Sequence, residues 1–378
     1  MRTIYLDYNA TTPIAPAVQE AMLPFLAEHY GNPSSSHALG CACHEAVEDA
    51  RSRVAALIAA DSDEIVFTGG GTEANNLAIK GVAFRQFPVE KGHLVISAFE
   101  HPAVVEPARF LERLGFTLSI VPTSEQGVVD PRQVAAAMRP DTLLVSIMHA
   151  NNEIGAVQPV REIAALCRKR GVLVHTDAAQ STGKIRVSVA ELGVDLLTIA
   201  GHKLYAPKGV GALYVRRGTT LEPVLHGAGH ERGLRAGTEN VAYIVGLGHA
   251  ASLAEKSLAE SSERLTMLRD RLQNRLHEGI GKAFSVNGRK ADRLPNTLSV
   301  NFPEVTGSAL LRRVPELCAS TGAACHAGST QMSPTLAAIG LSPEVAQGAV
   351  RLSVGWYTDE DEVDRAASLL IAAWEALR

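Results

Sequence analysis

Asp195-Leu196-Leu197-Thr198-Ile199-Ala200-Gly201-His202-Lys203, continued by Leu204-Tyr205-Ala206-Pro207-Lys208-Gly209, is the stretch whose reading decides the fold. Apolar residues at 196, 197 and 199 predict a buried strand, and Gly201 ends it so that His202 and Lys203 project from the turn. A lysine at the end of a core strand is poorly solvated and gives up its proton more readily than a free one, which is what an imine-forming lysine requires. Read alone, the stretch also describes a surface turn with two solvated cations. The rest of the chain has to decide.

Working outward, strand-like runs at residues 64–68, 93–97, 117–121, 143–148 and 172–176 alternate with helical patterns near 102–114, 131–139 and 160–170. That alternation predicts a mostly parallel sheet flanked by helices, in which ligands sit beyond the carboxyl ends of the strands. Polar residues collect at those ends: Glu100-His101, Asn151-Asn152-Glu153, Asp177 with Gln180, and His202-Lys203. Each cluster alone could be a cap or a turn. The run Gly69-Gly70-Gly71-Thr72-Glu73 follows another strand and opens a helix, so backbone amides can face an anion there, with the Thr72 hydroxyl beside them. It is neither a dinucleotide fingerprint nor a lysine-bearing P-loop. Helices are also expected over about 17–30 and 38–59, a strand over 210–216, and a long polar, glycine-rich loop over 226–240, of a length that is usually functional.

The 378 residues are enough for a large domain and a smaller one. A helix from about 241 to 279 carries the chain out of the first, which gives a large domain over 13–255 and a small domain built from 1–12 and 256–378. The small domain carries Cys325 within the flexible run Cys318–Thr330. An apolar content of 46% and a net charge of −4 describe an ordinary soluble chain with no electrostatic preference for nucleic acid or an anionic membrane. No apolar run reaches the roughly 20 residues of a membrane span, and Asp7 comes too early for a secretory signal, so a cytoplasmic location is expected. Five cysteines, an odd number, argue for reduced thiols. Cys41-x-Cys43-His44 lacks a second ligand pair at zinc-like spacing, so no metal site is expected.

Asp177 precedes Lys203 in what reads as one strand–crossover–strand unit. A carboxylate, a lysine and an anion cradle together suit pyridoxal 5′-phosphate. Tyr5-Leu6-Asp7-Tyr8-Asn9-Ala10-Thr11-Thr12-Pro13, Gly31-Asn32-Pro33-Ser34-Ser35, Gly70-Gly71-Thr72-Glu73, Glu100-His101, Asn151-Asn152-Glu153-Ile154-Gly155, Asp177, Gln180, Gly201-His202-Lys203 and Arg235-Ala236-Gly237-Thr238 occur in the order in which similar motifs occur in one family. The chain resembles the cysteine desulfurase and selenocysteine lyase family, within the class V aminotransferase group of fold-type I pyridoxal-phosphate enzymes.

The resemblance implies an α/β fold, with a large domain whose mostly parallel sheet lies between helices and a smaller α+β domain. It implies that Lys203 holds the cofactor as an imine and later moves the proton, that Asp177 pairs the ring nitrogen, that His101 stacks on the ring and that Gln180 touches the ring oxygen. Phosphate contacts fall to Gly71, Thr72 and His202, and to Thr238 from a second subunit, which makes the enzyme a homodimer. Arg351, with Asn152 and Asn32, would bind the substrate carboxylate, since a guanidinium fork matches two carboxylate oxygens. Cys325 would attack the sulfur of L-cysteine as a thiolate, leaving a persulfide and alanine, and a sulfur-acceptor protein of iron–sulfur assembly would take the sulfur onward.

Two positions depart from many cysteine desulfurases. Ala200 replaces a serine that offers the phosphate a hydrogen bond, and His326 follows Cys325 where serine or threonine is commoner. Both features also resemble selenocysteine lyases, so release of selenium from L-selenocysteine stands as the alternative, with another class V reaction such as transamination third. The chain also ends soon after its last helix, without the extended tail by which some desulfurases meet a scaffold protein.

Overall fold

The computed structural model describes residues 3–85, 91–321 and 332–378. Its central sheet has seven strands in the order Ile65–Thr68, Gly211–Val215, Leu196–Ala200, Leu173–Asp177, Thr142–Ser146, His93–Ser97 and Thr117–Val121. From Leu196–Ala200 to Thr117–Val121 every neighbouring pair runs parallel, whereas Gly211–Val215 is antiparallel to both of its neighbours. The reason lies in the connection. Residues 201–210 hold one short 3-10 turn, Gly201–Lys203, too little chain for a crossover helix, so the chain must return as a hairpin.

The strands read as near-continuous apolar runs because both faces of the sheet are covered. Phe67, Val95, Val145, Val174, Leu197, Ile199 and Tyr214 belong to one core, on which the helices Ala38–Leu57 and Val160–Arg168 also pack. Their neighbours Val66, Leu94, Ile96, Leu144, Leu196, Leu213 and Val215 belong to the other, under the helices Gly71–Phe84 and Pro102–Arg113. A slip of one residue in any strand would exchange the two faces, so the alternation fixes the register. Register in turn sets the site. Asp177 pairs with Thr198, one residue beyond the strand end expected at Thr176, and Ala200 pairs with Gly211.

A second core lies beside this sheet. The strands Ser285–Val286, Thr297–Asn301 and Ala349–Ser353 form an antiparallel sheet, and Ile4–Tyr5 pairs in parallel with Leu317–Cys318. Ile4 and Leu6 join Leu298, Val300, Leu352 and the helix Glu360–Glu375 in this core. The helix Val241–Ile280 is shared: up to Ala254 its buried residues pack in the first core, and from Leu265 onward in the second. Its start is set by Asn240, whose side chain accepts from the amide of Tyr243. Among the described residues no helix is long and apolar enough to cross a membrane, and no cluster of three or more His, Cys, Asp or Glu could hold a metal ion.

Candidate active site

A cavity of about 1000 Å³ opens where the parallel strands end, bounded on one side by Arg351 of the strand Ala349–Ser353. Lys203 enters it from the 3-10 turn that follows Leu196–Ala200. Its ammonium donates to the carbonyl oxygen of Ala10 at 2.7 Å and to that of Asn9, so the N-terminal segment folds over the lysine and holds it. Burial pushes the lysine down to about 8, the Arg351 guanidinium adds to the effect, and Asp177 and Asp7 oppose it. The solvated-turn reading of this stretch is therefore excluded, and the amine gives up its proton far more readily than a free lysine.

Asp177 ends its strand on the cavity floor and is almost fully buried. One oxygen accepts from the Asn75 side-chain amide at 2.7 Å and the other from the backbone of Ala179 at 2.9 Å. Asn75 sits in the helix Gly71–Phe84, whose N-terminus faces the same cavity. No side chain caps that helix. Gly70 precedes it with φ of +142°, a conformation that side-chain-bearing residues rarely adopt, and no atom lies within 4 Å of where its Cβ would be. The turn thus presents backbone amides and the Thr72 hydroxyl to open space, as an anion site requires. Gly71 packs on Ala200, with 3.1 Å from its would-be Cβ to the alanine methyl, so a larger side chain at 200 would crowd the cradle.

Two histidines line the cavity. His101 caps the helix Pro102–Arg113, its Nδ1 accepting from the amide of Ala103 at 3.1 Å, which places the ring proton on Nε2. Burial and the nearby Lys203 favour its neutral form, against the pull of Asp177. His202 joins Nδ1 to the Thr11 hydroxyl at 3.2 Å and is pushed down to about 4 by burial and the surrounding lysines, so it too is neutral at pH 7.

Arg351 lies on the opposite wall, with one guanidinium nitrogen on Asp7 at 2.7 Å and on the Ser320 hydroxyl at 3.1 Å, and another on the carbonyl of Asn152 at 3.2 Å. Its Nε is buried without a partner, one of few such atoms among the described residues. A buried donor left unpaired is costly to the fold.

Of the residues singled out from sequence, Gly71, Thr72, His101, Asn152, Asp177, Gln180, His202, Lys203 and Arg351 come together here. Asn32 does not line the cavity; it is exposed, and its side chain accepts from the amide of Ser34. Thr238 is also exposed and outside the cavity. Cys325 and His326 lie outside the described residues.

The structure adds burial and partners that sequence reading did not give. Glu100 is wholly buried: Oε1 accepts from the Ser97 hydroxyl and from the amide of Met148 at 2.8 Å, while Oε2 has no partner. Burial pushes its carboxyl up to about 8, so it is a neutral acid at pH 7. Lys184 is buried beside Gln180 and is pushed down to about 7 by burial and by Lys203 and Arg351. The loop 226–240 is tied down at two points. Arg235 meets Glu73 at 2.9 Å beside the glycine turn, and Glu231 forms a two-pronged pair with Arg51 at 2.7 and 2.9 Å. A reciprocal cue existed for Glu73 and Asn75, which stand inside the glycine-turn motif; Lys184 carries no local signal.

Residues 4–366 match the family described as Aminotransferase class-V. The chain is 46% identical to the cysteine desulfurase IscS of Dictyoglomus turgidum over 379 aligned positions, covering 100% of this chain and 96% of that protein. It is 44% identical to the cysteine desulfurase IscS of Dechloromonas aromatica, covering 97% and 91%. Among solved structures, a NifS-like protein superposes with a TM-score of 0.91 at 36% identity, covering 99% of both chains. SspA in complex with cysteine superposes with a TM-score of 0.84 at 38% identity, covering 94% of this chain and 100% of that one.

Proposed function

Because this chain belongs to the class-V aminotransferase family, we propose that it is a pyridoxal 5′-phosphate-dependent cysteine desulfurase, converting L-cysteine to L-alanine and passing the sulfur to Cys325. The observation that carries the reading is Lys203, held near neutrality in a cavity whose floor is the Asp177 carboxylate and whose rim is an uncapped, glycine-led helix.

The residues present fit that cofactor. The Gly70–Gly71 cradle has room that a Cβ at Gly70 would enter, the backbone amides there suit a phosphate, and Asp177 offers the negative partner that a protonated ring nitrogen needs. Gly71, Thr72 and His202 would hold the phosphate, with Thr238 reaching in from a second copy of the chain. His101 would cover the ring and Gln180 its oxygen. When bound, the cofactor supplies an electron sink at the substrate Cα.

The chain's own residues supply the rest. Arg351, with Asn152, binds and orients the substrate carboxylate, since a guanidinium fork matches two carboxylate oxygens. Lys203, partly neutral at working pH, takes the proton from Cα and can return it to carbon. Asn9 and Ala10 position its nitrogen. Cys325, as thiolate, forms a bond to the substrate sulfur while the Cβ–S bond breaks and Cβ gains a proton, so that one cysteine yields one alanine and one enzyme persulfide. Residues 13–255 hold the cofactor on this reading, and 1–12 with 256–378 bring Arg351 and Cys325 to it. A cytoplasmic homodimer that hands sulfur to an acceptor protein follows from the same reading.

The test measures alanine released from L-cysteine by the cofactor-loaded protein, with L-selenocysteine assayed in parallel. Cys325→Ala should abolish alanine formation from cysteine while leaving the cofactor bound. Undiminished turnover in that variant refutes sulfur transfer to Cys325, and faster turnover of selenocysteine with negligible turnover of cysteine assigns the enzyme to selenium release instead. A wild-type protein that takes up no pyridoxal phosphate overturns the whole reading.

A further inference from the structure

Lys184 is only 7% exposed, yet the charges that act on it, Lys203 and Arg351, are both positive. Its hydrogen-bond partner is Oε1 of Gln180, at 3.1 Å. A buried ammonium without a carboxylate is costly to keep, so the place it occupies calls for a reason. Gln180 supplies one. The other end of its amide, Nε2, donates to the carbonyl oxygen of Asn9 at 3.0 Å, the same oxygen that accepts from Lys203.

The two contacts leave no freedom to turn the amide over. A peptide carbonyl accepts and cannot donate, so it must face Nε2, and the Lys184 amine, which can donate in either protonation state, then holds Oε1. Gln180 lines the cavity, and Nε2 carries two hydrogens, of which the Asn9 carbonyl takes one. The other remains to be offered to a ligand. Without Lys184 nothing among the described residues holds Oε1, so the amide rests on the Asn9 contact alone and its Nε2 is less firmly aimed.

We propose that Lys184 is a positioning residue: by holding Oε1 of Gln180 it fixes the amide so that Nε2 is presented to the anionic ring oxygen of the bound cofactor. The inference rests on the reading that pyridoxal phosphate occupies this cavity.

The experiment follows the visible absorbance of the substrate-free, cofactor-loaded protein against pH, for the wild type, Lys184→Met, Gln180→Leu and the double variant. A donor to the ring oxygen favours its deprotonated form, so losing it raises the pH midpoint. Both single variants should raise it by about 0.5–1 pH unit, the size of one hydrogen bond. If Lys184 acts through Gln180, the double variant matches Gln180→Leu alone; if it acts only by its charge, its shift persists in the Gln180→Leu background and adds. Full addition overturns the proposal, as does a Lys184→Met midpoint equal to that of the wild type. Should Lys184→Met fail to fold or to load, Lys184→Gln takes its place: it keeps a donor for Oε1 and should retain the wild-type midpoint, and a rise as large as that of Gln180→Leu overturns the proposal. A wild-type protein with no visible band refutes the cofactor reading itself, which separates that failure from this one.

Discussion

Replacing Arg51 with Ala should destabilise the protein by about 3–5 kcal/mol, the cost of leaving one member of a buried ion pair alone. The side chains of Arg51 and Glu231 are 9% and 2% exposed. Arg51 spends one nitrogen on the carbonyl of Ile65 at 3.0 Å as well as on the carboxylate, and its guanidinium lies 4.7 Å from the centre of the Phe67 ring. With Arg51 gone, Glu231 keeps a single backbone donor, the amide of Phe67 at 2.8 Å, and cannot reach water without moving the loop. The loop is already under tension, because Glu231 and Arg232 have φ of 47° and 57°, a conformation costing about 1–3 kcal/mol each outside glycine. Losing the anchor should free residues 226–240, loosen Arg235 from Glu73, and weaken cofactor retention at the neighbouring glycine turn. The assay is denaturant unfolding of the cofactor-free protein, paired with cofactor affinity. Arg51→Met combined with Glu231→Leu replaces the pair with apolar side chains and should recover at least about half of the lost stability, since no charge is stranded, but should not recover cofactor affinity. A single-variant loss under about 1 kcal/mol, or a double variant no better than the single, refutes the account of a stranded carboxylate.

Two further outcomes follow from the titrating groups. Capture of pyridoxal phosphate by the cofactor-free protein should rise with pH and reach half its maximum near about 8, because only the neutral Lys203 amine reacts and its proton is held less tightly than the ordinary 10.5; Arg351→Gln removes a depressing cation and frees Asp7, so the midpoint must move up, and an unmoved midpoint would remove Arg351 from the electrostatics of Lys203. Glu100 holds its proton in the folded protein up to about 8 but loses it near 4.5 when unfolded, so the folded state binds the extra proton in between and stability falls as pH rises from about 4.5 to about 8. Glu100→Gln, which cannot ionise, should remove that part of the slope, as measured by the difference between the two proteins' unfolding midpoints across this range; parallel curves would show that Glu100 is ionised in the fold.

What could be read from the sequence was what is local. The turn at 69–73, Asp177 and the 201–203 turn each announce themselves as polar or glycine-rich residues just past an apolar run, and the parallel sheet brings such ends together by construction. The antiparallel strand Gly211–Val215 was legible in principle from the shortness of the turn before it, although periodicity alone does not give strand direction. The charge partners were not legible. Asp7 meets Arg351 across a sequence separation of 344 residues, and Arg51 meets Glu231 across 180. No pattern in either neighbourhood encodes the other. Lys184 was invisible for a different reason, and Glu100 was visible only as a polar residue past a strand: their meaning comes from burial, and lysine and glutamate are residues that sequence reading assigns to the surface by default.

These buried charges share a logic. Around one cavity the chain gathers Lys184, Lys203 and Arg351, with Asp177 and Asp7 as the nearby carboxylates and both lining histidines neutral. Positive side chains gathered in one cavity beside an uncapped helix are unfavourable for the fold. On the proposed reading, a phosphate at the helix and a carboxylate at Arg351 would be anions placed where those charges lie. The binding free energy of such ligands is thus also folding free energy, growing as RT ln(1 + [L]/Kd). On the proposed reading the residues most costly to the fold are therefore the ones that would select an anionic cofactor and an anionic substrate, and the proton affinity of Lys203 is lowered by the burial that the same cavity imposes, with the Arg351 charge adding to it.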